Sequence, residues 1–155
     1  MIDAAKLASG RTVVSGLPQG LDAKALGEIA RGLGTRPLIH VALDDARAGA
    51  LQEQLQFFAG DLEILRFPAW DCLPYDRVSP VADILARRLA SLARLRAPIA
   101  KPLLILTTVN AALQRVLACD TIGGSSLSLH ASQRVKMETL LSFLVPSSSG
   151  LAVLS

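Results

Sequence analysis

Leu103-Leu104-Ile105-Leu106-Thr107, opened by Pro102, is the most continuous apolar run in the chain. It does not alternate, so a strand made from it is apolar on both faces, as a parallel sheet covered on two sides requires. Pro102 to Gln114 holds only 13 uncharged residues, too few for a bilayer span of about 20.

Working outward, three shorter runs read as further strands: Glu63–Phe67, Pro37–Val41 and the β-branched Thr12-Val13-Val14-Ser15. Helical patterns separate them. Leu26, Ile29, Ala30 and Leu33 recur at three- and four-residue steps between Asp22, a predicted N-cap, and Gly34, a predicted stop. Asp44 or Asp45 caps a second helix through Leu51, Leu55 and Phe58 to Gly60. A third runs from Ser79 to Leu95, with Ser79 as N-cap and Pro80 at the first helical position, and a short fourth from Asn110 to Leu117. Four strands alternating with helices predict an α/β fold: a doubly wound parallel sheet with helices on both faces and right-handed crossovers.

After Cys119 the chain becomes serine-rich and nearly uncharged. Leu127-Ser128-Leu129 reads as an edge strand and Met137–Leu144 as a helical turn or two. Pro146-Ser147-Ser148-Ser149-Gly150 cannot continue a helix, and only Leu151–Leu154 follows it. The organisation expected is therefore an α/β domain over 1–119 and, over 120–155, the incomplete start of a further α+β region or a disordered tail.

With 155 residues, 51% of them hydrophobic, and a mean hydropathy of +0.42, the chain has material for one domain and is not disordered over most of its length. A net charge of +3 does not by itself argue for nucleic acid. Its distribution is more informative, because no acidic residue lies between Asp83 and Asp120, where Arg87, Arg88, Arg94, Arg96, Lys101 and Arg115 fall. Such a run is either a solvated helix face or a stripe for phosphate or a partner. On a helical wheel Arg87 and Arg94 lie opposite Leu85, Leu89 and Leu92 and are expected to be exposed. Cys72 and Cys119 form no metal-spaced pair, so no metal site is expected. His40 in a strand reads as a structural imidazole. Met1–Arg11 lacks the apolar core of a secretory signal, and a cytoplasmic protein with no membrane contact is expected.

A strand, a glycine-bearing loop and a helix near the start of an α/β domain invite comparison with the phosphate loop GxxxxGK[ST]. There Gly permits close backbone approach, Lys places a charge on the outer phosphates and a hydroxyl meets magnesium. Counting from Gly16, the second glycine position is Leu21, the lysine position Asp22 and the hydroxyl position Ala23. Gly20 does not restore the frame. The loop is degenerate, and no ATP hydrolysis is expected of this chain. Asp71 and Asp76, five apart on a proline-containing loop, read as an Asx-turn and a cap on the approach to a helix rather than as paired catalytic carboxylates. No catalytic residue is assigned.

The most informative stretch runs from Phe67 to Pro80. Its motif is Trp70-Asp71-x-Leu73-Pro74-Tyr75-Asp76, then Ser79-Pro80, followed in the next helix by Ile84, Arg88, Leu89 and Leu92 and later by Leu103 to Arg115. Trp70 and Tyr75 serve equally to pin the loop or to receive another protein. This ordered combination resembles the N-terminal region of the bacterial transcription-repair coupling factor family (Mfd), which is itself similar to the first domain of the excision-repair protein UvrB. The resemblance implies a helicase-like domain with a lost phosphate loop, needing no cofactor of its own. It implies further that ATP and magnesium serve motor domains elsewhere in the parent family, an ATP-dependent DNA translocase. UvrA, RNA polymerase and DNA would be met mostly by regions outside this chain. By the same resemblance Trp70, Leu73, Pro74, Tyr75, Asp76, Ser79 and Pro80 are candidate interface residues. A stand-alone nucleic-acid-binding module using Arg87, Arg88, Arg94 and Arg96 is the alternative.

Overall fold

The computed structural model describes residues 10–18, 20–72, 80–116, 118, 126–129, 133–144 and 151–154. In chain order the elements are α1 (Leu21–Leu33), β1 (Leu38–Ala42), α2 (Asp45–Phe58), β2 (Glu63–Phe67), α3 (Ala82–Arg96), β3 (Leu103–Thr108), α4 (Val109–Leu113), β4 (Ser126–Leu129), α5 (Met137–Leu144) and β5 (Leu151–Leu154). They fall into two compact units, one within Met1–Ala69 and Pro98–Gln114, the other within Trp70–Ala97 and Arg115–Ser155.

The first unit is an α/β layer whose parallel sheet has the order β1-β3-β2. The apolar run that suggested a strand buried on both faces is the central one, and all six of its residues are buried. Leu104 lies between Leu38 of β1 and Ile64 of β2 in the register. Thr107 Oγ1 donates to the Phe67 carbonyl at 3.1 Å, satisfying a hydroxyl in the buried strand.

On one face of this sheet Leu104 and Leu106 pack against Ala23 and Ala30 of α1 and Leu51 and Leu55 of α2. Each fully buried leucine contributes roughly 1.5–3 kcal/mol. Small residues on α1 let the helices close up: a Cβ at Gly27 would lie 3.0 Å from the Ala59 Cβ. On β1 the burial alternates, leaving Ile39 61% and Val41 47% exposed.

Four readings differ from the sequence analysis, each for a physical reason; the first is α4, expected to run to Leu117, which ends at Leu113 because Gln114 is already extended. Thr12–Ser15 is not a strand; Val13 is 75% and Val14 48% exposed. β propensity without a neighbouring ladder does not make a strand. Helix α1 starts at Leu21, because Gly20 at φ 94° is its N-cap and Asp22 lies inside the first turn. Helix α3 starts at Ala82 rather than Ser79, since extended Val81 is the N-cap and its N–H goes to the Asp71 carboxylate. Asp44 caps α2 as expected, accepting from the Arg47 N–H at 2.7 Å.

In the second unit β4 and β5 pair in parallel, with Ser128 opposite Val153. Helix α5 connects them, so Leu151–Leu154 is the partner of the expected edge strand. Among the described residues no helix is long and apolar enough to cross a membrane.

Candidate functional site

Among the described residues, two places gather chemistry-bearing side chains. The first is the N-terminus of α1, where a phosphate loop would deliver its anion. Gly16 and Gly20 both have positive φ, and the Leu21 N–H closes a turn onto the Pro18 carbonyl at 3.0 Å. The glycines are conformationally competent for a tight loop. The side chains that follow are not those of a nucleotide site. Asp22 accepts from the Ala23 N–H at 3.0 Å and pairs with the guanidinium of Arg47 on α2. Ala23 is fully buried and brings no hydroxyl, while Leu21 is 43% exposed and brings no charge. An acidic side chain thus takes the helix-terminal N–H, so the residues present do not fit a magnesium nucleotide.

His40, at the middle of β1, lies close enough to feel both members of that ion pair. Burial holds its imidazole below the ordinary histidine value, with Asp22 opposing the shift and Arg47 adding to it. Burial therefore favours the neutral imidazole at this strand position.

The second place is in the other unit. Leu85, Leu89 and Leu92 recur on one face of α3, and Arg88 lies among them at helical spacing. The Arg88 guanidinium stacks over the Trp70 ring, 4.4 Å from the centroid, and Arg88 is 1% exposed. Desolvation pulls its pKa below the ordinary guanidinium value, yet arginine stays a cation. Trp70, Leu85, Leu89, Leu92 and Val116 wall a groove of about 390 Å³. Among the described residues its charged lining side chains are Arg88 and Arg115. Asp71, beside the indole in sequence, fixes the start of α3 through the Val81 N–H at 3.2 Å.

No family model matches the chain. Individual proteins do. It is 33% identical over 136 residues to the transcription-repair-coupling factor of Myxococcus xanthus, 82% of this chain and 11% of that protein. The factor of Escherichia coli K12 is 30% identical over 104 residues, 67% of this chain and 9% of its own length. That of Rickettsia prowazekii is 31% identical over 105 residues. The chain belongs to the transcription-repair-coupling factor family. It spans about a tenth of the length of the curated relatives it matches.

Within this transcription-repair-coupling factor segment the residues singled out in the sequence are placed unequally. Leu73, Pro74, Tyr75, Asp76 and Ser79 lie outside the described residues; Trp70 and Pro80 are half-buried. The four arginines do not form one stripe. Arg87 is exposed and paired with Asp83 at 2.9 Å, Arg88 is buried under Trp70, and Arg96 is exposed. Arg94, expected to be exposed, is half-buried and folds back to the Ala97 carbonyl at 3.5 Å, where a cation suits a helix C-terminus. Arg88 joined the stripe in the sequence reading because of its charge, although its spacing to Leu85 and Leu92 already placed it on the apolar face. Arg47 was not singled out at all. Nothing local marks it, since its partner Asp22 is on another helix.

Proposed function

We propose that this chain is a non-catalytic, nucleotide-independent module of a transcription-repair-coupling factor. The observation that carries the reading is the Asp22–Arg47 pair at the N-terminus of α1. A carboxylate stands where a phosphate loop needs a lysine, and Ala23 stands where it needs a hydroxyl. The α/β sheet is retained while this chemistry is lost, as in a helicase-like domain kept for its shape. On this reading the module holds the neighbouring part of the longer protein in position to recruit UvrA. RNA polymerase and DNA are engaged by other regions, and ATP and magnesium belong to motor domains beyond this chain.

Titration calorimetry of the chain with ATP and magnesium tests the reading. No saturable isotherm is expected; a defined, magnesium-dependent one overturns it. A stand-alone nucleic-acid-binding role is the lesser reading, because of the four arginines it would use Arg88 is buried and Arg87 is ion-paired. Retardation of duplex DNA that weakens steeply with salt would restore it.

A further inference from the structure

Among the described residues β1 is paired with β3 alone, so the other side of Leu38–Ala42 is an open sheet edge whose outward main-chain groups have no ladder. Natural edges are usually blunted by charged side chains, proline or a bulge. From Leu38 to Leu43 the chain has neither a charge nor a proline. Its apolar side chains also stay in solvent, with Ile39 61%, Val41 47% and Leu43 81% exposed. The opposite edge strand, β2, carries Glu63 and Arg66 and is protected in this way.

The residues along this edge are complementary about His40. Ile39 and Val41 flank it, Pro37 and Leu43 lie three positions away on either side, and Arg36 and Asp44 four away. Arg36 and Asp44 are both exposed, and among the described residues neither is in an ion pair. Asp44 holds the Arg47 N–H through one oxygen, Oδ1. Antiparallel pairing of two such strands about a dyad at His40 sets Ile39 opposite Val41, Pro37 opposite Leu43 and Arg36 opposite Asp44, each pair formed twice. Opposed residues share a face of the sheet, so the β-branched side chains of both copies meet in one cluster. A register slipped by two residues keeps the faces but sets Asp44 against Leu38 or Arg36 against Ala42. Charge complementarity therefore selects the register centred on His40.

We propose that the β1 edge is a self-association surface, on which a second copy of this chain adds its own β1 antiparallel about a dyad at His40 and joins two three-stranded sheets into one. Five residues of strand make a small contact, so a reversible dimer is expected rather than a permanent one. The inference does not rest on how the α1 site is read.

Sedimentation equilibrium of the full chain over a range of concentrations tests it, and a monomer–dimer equilibrium is expected. Ile39→Lys puts a cation beside the dyad and should leave the chain monomeric. Arg36→Glu sets carboxylates opposite each other at both ends of the contact and should raise the dimer Kd about tenfold or more. Added salt should narrow the gap between the native chain and Arg36→Glu. Both positions are exposed in the monomer, and circular dichroism checks that both variants fold. Four outcomes overturn the proposal. A monomer at every concentration would leave the edge to a strand from a different chain, and a dimer that Ile39→Lys does not weaken would seat the contact elsewhere. An unchanged Kd in Arg36→Glu would remove this register, and assembly beyond the dimer is something an isologous contact does not permit.

Discussion

The guanidinium of Arg88 lies 4.4 Å over the centre of the Trp70 ring, with the arginine almost wholly buried. A desolvated cation over an indole contributes up to about 2 kcal/mol, and the arginine stem adds packing. Arg88→Met keeps much of the stem and removes the charge; Arg88→Ala also opens a cavity. The alanine variant should lose roughly 2–4 kcal/mol and the methionine variant clearly less. Urea unfolding followed at Trp70 measures both. Equal losses would show that packing contributes nothing beyond the charge.

Gly27 of α1 faces the end of α2, where an added Cβ would sit 3.0 Å from the Ala59 Cβ. In an open helix Gly→Ala stabilises by about 1 kcal/mol. Here that gain is opposed by crowding, so Gly27→Ala should be neutral to mildly destabilising, and Gly27→Leu should lose about 1–3 kcal/mol or more. Thermal denaturation of the two variants gives the answer. A more stable leucine variant would mean that the helices separate freely.

Asp22 and Arg47 join the first turns of two helices, with side chains that are only partly exposed. A double-mutant cycle over Asp22→Asn and Arg47→Gln should yield a coupling of about 0.5–1 kcal/mol at low salt, shrinking as salt is added. Zero coupling at low salt would remove the pair as a link between α1 and α2.

His40 gives the stability a pH dependence whose sign follows from its burial. Its pKa is lowered in the folded chain, so below about pH 6.5 the unfolded state binds more protons. The contribution of the neutral imidazole is complete above the unfolded value and declines as pH falls from there towards the folded one. Denaturation midpoints of the native chain should therefore drop between neutrality and mild acid. His40→Gln should flatten that drop, and an unchanged slope in the variant would assign it to other groups.

Much of the first unit was legible in the sequence because its cues are local. Pro102 followed by unbroken aliphatic residues marks a doubly buried strand, Asp44 before an apolar-periodic segment marks a cap, and Gly34 marks a stop. Thr12–Ser15 misled because residue preference is local while a strand is a relation between distant segments. At the α1 site the missing lysine and hydroxyl were readable position by position. The arginine that takes up Asp22 was not, since which helix lies beside another is settled by packing. Arg88 shows the converse: its spacing carried the right information, and its charge obscured it.

The sheet order β1-β3-β2 also bears on how the chain is made. Among the described residues β1 and β2 are not paired with each other; each finds its ladder in β3, which is synthesised last of the three. While the ribosome is still upstream of Leu103, two hydrophobic segments have left it with nothing to pair to. Sheet formation then occurs as a single late event, closing two long loops at once. Truncation before Leu103 should accordingly yield helices without a sheet, and slow translation through 68–102 would prolong the interval in which a chaperone is needed.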